Sequence, residues 1–134
     1  MTVTEQFCVI HPDGSIETRN LPFNSGGRLD AFQEAVGGYI EKIGTPFPTT
    51  VYANEDGRRL GLEENPVGSL VSGYQGDRLL VGPVIILGPN ESGLPADVIA
   101  KLVEATGVIS RATPEKVEKA LGERGSLAAE VLAS

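Results

Sequence analysis

The chain has 134 residues, 40% of them hydrophobic and 22% charged, with a formal net charge of −7. That length predicts one domain, or one domain with a small addition, whose core buries roughly two-thirds of the unfolded surface without disulfide or metal support. Residues 1–90 carry 6 basic and 11 acidic side chains and residues 91–134 carry 5 and 7, so neither part offers the basic footprint that direct nucleic-acid binding requires.

A single cysteine, Cys8, rules out an internal disulfide and fits a reducing compartment. The first residues lack the basic-then-apolar pattern of a secretory signal, and no apolar run reaches membrane-spanning length. The expectation is a soluble, cytoplasmic protein with no membrane partner. The acidic side chains form no long run and read as a solvated surface; a surface that mimics an acidic partner is the alternative.

In chain order, Gln6 to Ile10 is apolar on both faces of a strand, and His11-Pro12-Asp13-Gly14 supplies the fixed and positive φ angles of a tight turn. Ser15 to Arg19 alternates and reads as the returning hairpin strand. Leu21 to Gly27 reads as loop. From Arg28 the period lengthens: Leu29, Phe32 and Val36 recur at three and four residues, which predicts a helix closed by Gly37 in the left-handed conformation. Tyr39 to Ile43 and Thr49 to Ala53 read as strands joined by the rigid Thr45-Pro46-Phe47-Pro48 link, and Asn54 to Gly57 reads as a turn. Arg59 to Leu62 reads as a short edge strand or extended loop.

Asn65-Pro66 is a helix start, with Asn capping free amides and Pro at the first helical position. Leu79 to Leu87 is the most apolar run, and Pro83 within it predicts two strand segments bent at Gly82-Pro83. Leu94 to Ala105 reads as a helix ended by Gly107, followed by helices from Thr113 to Leu121 and within Ser126 to Ala133. The fold expected is α+β. A roughly five-stranded mixed or antiparallel sheet with one main helix packed on it occupies residues 1–90, and residues 91–134 form a helical C-terminal appendage.

Three motifs occur in order: Ala35-Val36-Gly37-Gly38-Tyr39-Ile40-Glu41; Asn54-Glu55 with Gly57, Gly61-Leu62 and Asn65; and Asp77 with Leu79 through Val81-Gly82-Pro83 to Gly88. Together they resemble a family of small domains of unknown function found in phages and bacteria, over about residues 6–88. The resemblance implies a fold and a phage or prophage setting, hence the host cytoplasm. It carries no catalytic residue.

No metal centre or cofactor is expected, because Cys8 and the one histidine, His11, fall on opposite faces of a strand. No nucleophile elbow is present, and a Cys8 thiol in an apolar run is inert. The candidate ligand-binding residues are Tyr39, Glu41, Asn54, Glu55 and Asn65, with Arg28 behind Gly26-Gly27 as an anion-facing helix entry. Against this stand plainer roles: Asn54 as turn former, Asn65 as helix cap, Glu41 as a solvated strand residue. The function expected is that of a phage-type accessory protein binding a small, nucleotide-like ligand or a host protein without catalysis, in a chain able to form a homo-oligomer. The alternatives are an enzyme using carboxylate and tyrosine acid–base chemistry, and an acidic inhibitor of a host DNA-handling protein.

Overall fold

The computed structural model describes residues 5–112, 115–117 and 119. Five strands, β1 (Gln6–Ile10), β2 (Ile16–Asn20), β3 (Ile40–Ile43), β4 (Thr50–Asn54) and β5 (Val84–Leu87), form one sheet in the order β2-β1-β5-β4-β3. Every neighbouring pair is antiparallel. The fold is α+β.

Helices cover both faces. On one side α1 (Ser25–Val36) brings Phe32, Ala35 and Val36 onto Phe7, Val9, Ile85 and Leu87. The Phe32 ring stands edge-on to Phe7 and tilted on Tyr52, with both centroid separations at 5.4 Å. On the other side α2 (Pro66–Ser72) and α3 (Ala96–Arg111) bring Val67, Leu70, Val71, Leu102 and Ile109 onto Cys8, Ile10, Val51, Val84 and Ile86. Because side chains alternate across a strand, β1 and β5 need apolar residues at successive positions to fill both layers. The segment expected as an appendage thus sends Leu102 and Ile109 into the same core as the sheet. The helices expected at 113–121 and 126–133 lie largely outside the described residues.

Several boundaries differ from the sequence reading. α1 begins at Ser25, so Gly26 and Gly27 are helical; the Asn24 side chain accepts from the Gly27 N–H at 2.5 Å and its carbonyl from the Arg28 N–H at 3.0 Å. An entry satisfied this way leaves no amide at Gly27 or Arg28 for an anion. Gly37 closes the helix at φ 78° as expected, and β3 starts one residue after Tyr39. Gly107 does not end α3, which continues through the buried Ile109; that burial outweighs the cost of about 1 kcal/mol for a helical glycine. Residues 59–61 are turn rather than strand. The bend at Gly82 is real: Val81 bridges Glu64, Gly82 has φ 73°, and β5 begins after Pro83. None of the described helices is long and apolar enough to cross a membrane.

Cys8 is fully buried, and burial pushes its thiol up to about 11, with the Thr18 hydroxyl pulling weakly the other way. A chromogenic thiol reagent at pH 8 is therefore expected to leave Cys8 intact in native protein and to react with it in denaturant. Prompt reaction under native conditions would show that this layer opens easily.

A candidate functional site at the cleft beside the outer strand

The sequence candidates do not converge. Ile40 packs with the α1 layer and Ile43 with the α2/α3 layer. By alternation Glu41 points to the α2/α3 side, where Ala53 is its register partner. Asn54 lies on the α1 side. Its Nδ2 donates to the Val36 carbonyl (3.0 Å) and its Oδ1 accepts from the Asp56 N–H (2.8 Å). Asn54 therefore ties the end of α1 to the turn after β4.

Asn65 is completely buried and fully committed. Its Nδ2 donates to the carbonyls of Ile10 and Gly82 (both 2.9 Å), and its Oδ1 caps α2 by accepting from the Gly68 N–H (2.8 Å). Arg28 is a staple between loops: Nε reaches the Pro22 carbonyl and Nη1 the Glu91 carbonyl, each at 2.8 Å. Tyr39 is exposed and its carbonyl accepts from the Glu55 N–H (2.9 Å), while the Glu55 side chain faces solvent. Of the six, Glu41 lines the cleft beside β3.

That cavity is a cleft of about 330 Å³ beside β3, bounded by Glu41, Lys42 and Gly44, by Ala53 of β4, and by Arg58, Tyr74, Leu80 and Val81. Its volume is near the lower end for small-ligand pockets, roughly 300–1,000 Å³. Local packing builds it. Gly57 sits where a Cβ would meet Val81 at 2.7 Å, so the turn after β4 lies flat on residues 79–82. From that turn Arg58 donates through Nη2 to the Leu79 carbonyl (2.6 Å), which brings its guanidinium to the wall of the cleft. The wall is fixed from behind, because the Leu80 N–H donates to Ser69 Oγ (3.0 Å) and the Leu80 carbonyl accepts from the Asn65 N–H (2.8 Å).

Chemically the side chains at the cleft are the Arg58 guanidinium, the Glu41 carboxylate, the Tyr74 phenol and two aliphatic groups, while Lys42, next to Glu41 on β3, turns its side chain to the α1 face. None of the ion pairs among the described residues involves Glu41, Lys42 or Arg58. Such a lining suits a small polar molecule with an anionic group. Arg58, Lys42 and Tyr74 were absent from the sequence candidates. Nothing local separates Arg58 from its neighbour Arg59, which pairs with Asp56 at 3.3 Å instead. Tyr74, set between Gly73 and Gly76, was the one available hint.

A second polar cluster lies on the α1 side. Tyr52 OH donates to Glu91 Oε1 (2.5 Å), Thr50 Oγ1 accepts from the Glu91 N–H (3.0 Å), and Arg28 holds the Glu91 carbonyl. These bonds keep Asn90 and Glu91 left-handed, at φ 55° and 60°. Partial burial, then the Glu91 carboxylate, push the Tyr52 phenol up to about 12. A phenol shifted that way stays neutral and donates, the opposite of a tyrosinate base. Its contribution to stability is present below the unfolded tyrosine value of about 10 and is lost as pH rises toward 12. In a spectrophotometric alkaline titration, Tyr52→Phe is expected to remove the latest phenolate step; persistence of that step would place the shift elsewhere.

On the hairpin, Glu17 accepts from Arg19 Nη2 (2.6 Å) and meets His11 Nε2 (2.9 Å), which holds its carboxyl below the usual range, Arg19 first and His11 second. Glu17 pairs in register with Val9, so His11 meets it on the α1 side of the sheet while Cys8 belongs to the opposite layer. Among the described residues no three His, Cys, Asp or Glu side chains are grouped to hold a metal.

Residues 4–107 match the family model described as a domain of unknown function (DUF3846). No curated protein and no solved structure matches the chain.

Proposed function

We propose, for a chain that belongs to the DUF3846 family of unknown function, that this is a small non-catalytic accessory protein holding a small anionic, nucleotide-like molecule in the cleft beside β3. The single observation that carries the proposal is the placing of Arg58 with Tyr74 and Glu41 around one opening, in a protein of net charge −7. A guanidinium held at an opening of an otherwise acidic molecule marks where an anion is drawn. Tyr74, Leu80 and Val81 offer a flat and apolar surface to the rest of such a ligand. A phage or prophage setting, with the protein at work in the host cytoplasm, belongs to the same proposal and rests on the three ordered motifs.

Native mass spectrometry of freshly purified protein tests it. Wild type is expected to retain an extra mass of a few hundred daltons that Arg58→Ala loses while keeping its circular dichroism. No extra mass in the wild type, or the same mass in both proteins, would remove the cleft as the site. The same spectrum reports subunit number. A second reading, an acidic surface that engages a host DNA-handling protein, draws on the −7 charge and expects stable co-purification with that host protein and no small molecule.

A further inference from the structure

Just before β5 the chain makes one isolated antiparallel bridge, Val81 opposite Glu64. Its two bonds run from the Gly82 N–H to the Glu63 carbonyl and from the Asn65 N–H to the Leu80 carbonyl, each at 2.8 Å. Bonds that flank a bridged pair in this way make it the non-hydrogen-bonded kind, whose two residues turn their own N–H and C=O away from each other. Leu80 and Gly82 are therefore directed to the α2 side. There the Leu80 N–H also reaches Ser69 Oγ (3.0 Å) and the Gly82 carbonyl accepts from Asn65 Nδ2 (2.9 Å). Leu79 and Val81 are directed to the opposite edge, and on that edge Arg58 Nη2 meets the Leu79 carbonyl (2.6 Å).

Val81 differs from its neighbours in that no hydrogen bond among the described residues reaches its N–H or its C=O. The residue is half-buried in the wall of the cleft, next to Arg58. A backbone donor and acceptor side by side need partners, and two kinds of group match them: another strand, or a planar ring with an N–H next to an acceptor. A strand has nothing to continue along. On one side the Leu79 carbonyl is already held by Arg58, and on the other the chain bends at Gly82 (φ 73°) into Pro83, which has no N–H. The edge therefore offers one residue's pair of bonds and no ladder. A ring fits the rest of the cleft, where Tyr74 and Leu80 supply flat and apolar surface within about 330 Å³.

We infer that Val81 reads the edge of a nucleobase, its N–H donating to a ring acceptor and its carbonyl accepting from the adjacent N–H, while Arg58 holds the phosphate of a nucleoside monophosphate. The inference rests on the anion site proposed above at Arg58 and adds the base to it. The reading group is main chain, so no side chain at position 81 marks it.

The test is a titration of isotope-labelled protein with AMP, GMP, CMP, UMP and ribose 5-phosphate, followed by amide shifts. At least one nucleotide is expected to move the Val81 amide and to bind at least about tenfold more tightly than the sugar phosphate. Val81→Pro deletes an N–H that no bond among the described residues uses, and is expected to bring that nucleotide to within about threefold of ribose 5-phosphate. The wild-type Val81 shift remains a separate readout should proline disturb the fold. Ribose 5-phosphate binding as tightly as every nucleotide, and lost in Arg58→Ala, would overturn the base reading and leave the anion site standing. Saturation by a nucleotide with the Val81 amide unmoved would overturn the base reading as well, and no binding of any of the five would overturn both.

Discussion

Asn65→Ala is expected to lower stability by about 3–4 kcal/mol, because it deletes three buried hydrogen bonds and strands the two carbonyls and the amide that made them. Helix capping alone would account for about 1 kcal/mol of this. The remainder comes from cross-linking, since one side-chain amide joins the end of β1, the start of α2 and the bend before β5. Asn65→Asp separates the two roles. Aspartate caps a helix as well as asparagine does, so a residue that merely capped α2 would tolerate the change. Here the aspartate would turn an oxygen toward the Ile10 and Gly82 carbonyls and is expected to cost at least as much as alanine. Urea unfolding followed by circular dichroism reads both variants; a nearly neutral Asn65→Asp would reduce Asn65 to a simple cap.

Leu102→Ala is expected to cost about 3 kcal/mol, within the usual range for a fully buried leucine, and to lower the melting temperature by about 10 °C. Leu102 is completely buried among Leu70, Val71 and the α2/α3 face of the sheet. The shape of the transition matters as much as its midpoint. If α3 is part of the core, ellipticity and the exchange of β1 and β5 amides move together in one transition. A separate early transition, with the strands still protected, would mark α3 as a loosely attached element. Those amides, at Phe7 to Ile10 and Val84 to Leu87, are buried in both layers and report on the core as a whole.

Elements with a local cause were readable in the sequence. Asn65-Pro66 announced α2, Gly37 the end of α1, and Gly82-Pro83 the bend before β5, because each depends on dihedral angles or caps within a few residues. What the sequence hid was of longer range. The partners of Asn65 lie 55 and 17 positions away, and those of Arg28 include a carbonyl 63 positions away. No periodicity records such distances, so both residues read as free to meet a ligand when the fold employs them as ties. The two faces of the sheet were equally hidden. Glu41 and Asn54 are on adjacent strands and were expected to converge, but alternation sends them to opposite layers once the register of β3 with β4 is known. The same register places Glu41 at the cleft, where Arg58 joins it from a turn whose sequence gave no sign of it.

The most direct test of the central claim is a crystal structure of the natively purified wild-type protein, prepared without added ligand. The cleft is expected to hold density for a small molecule whose anionic group meets Arg58, beside Tyr74. A cleft closed by the protein's own side chains, or a retained molecule seated instead in the apolar groove of about 430 Å³ between Pro12, Val67 and Ile109, would contradict it.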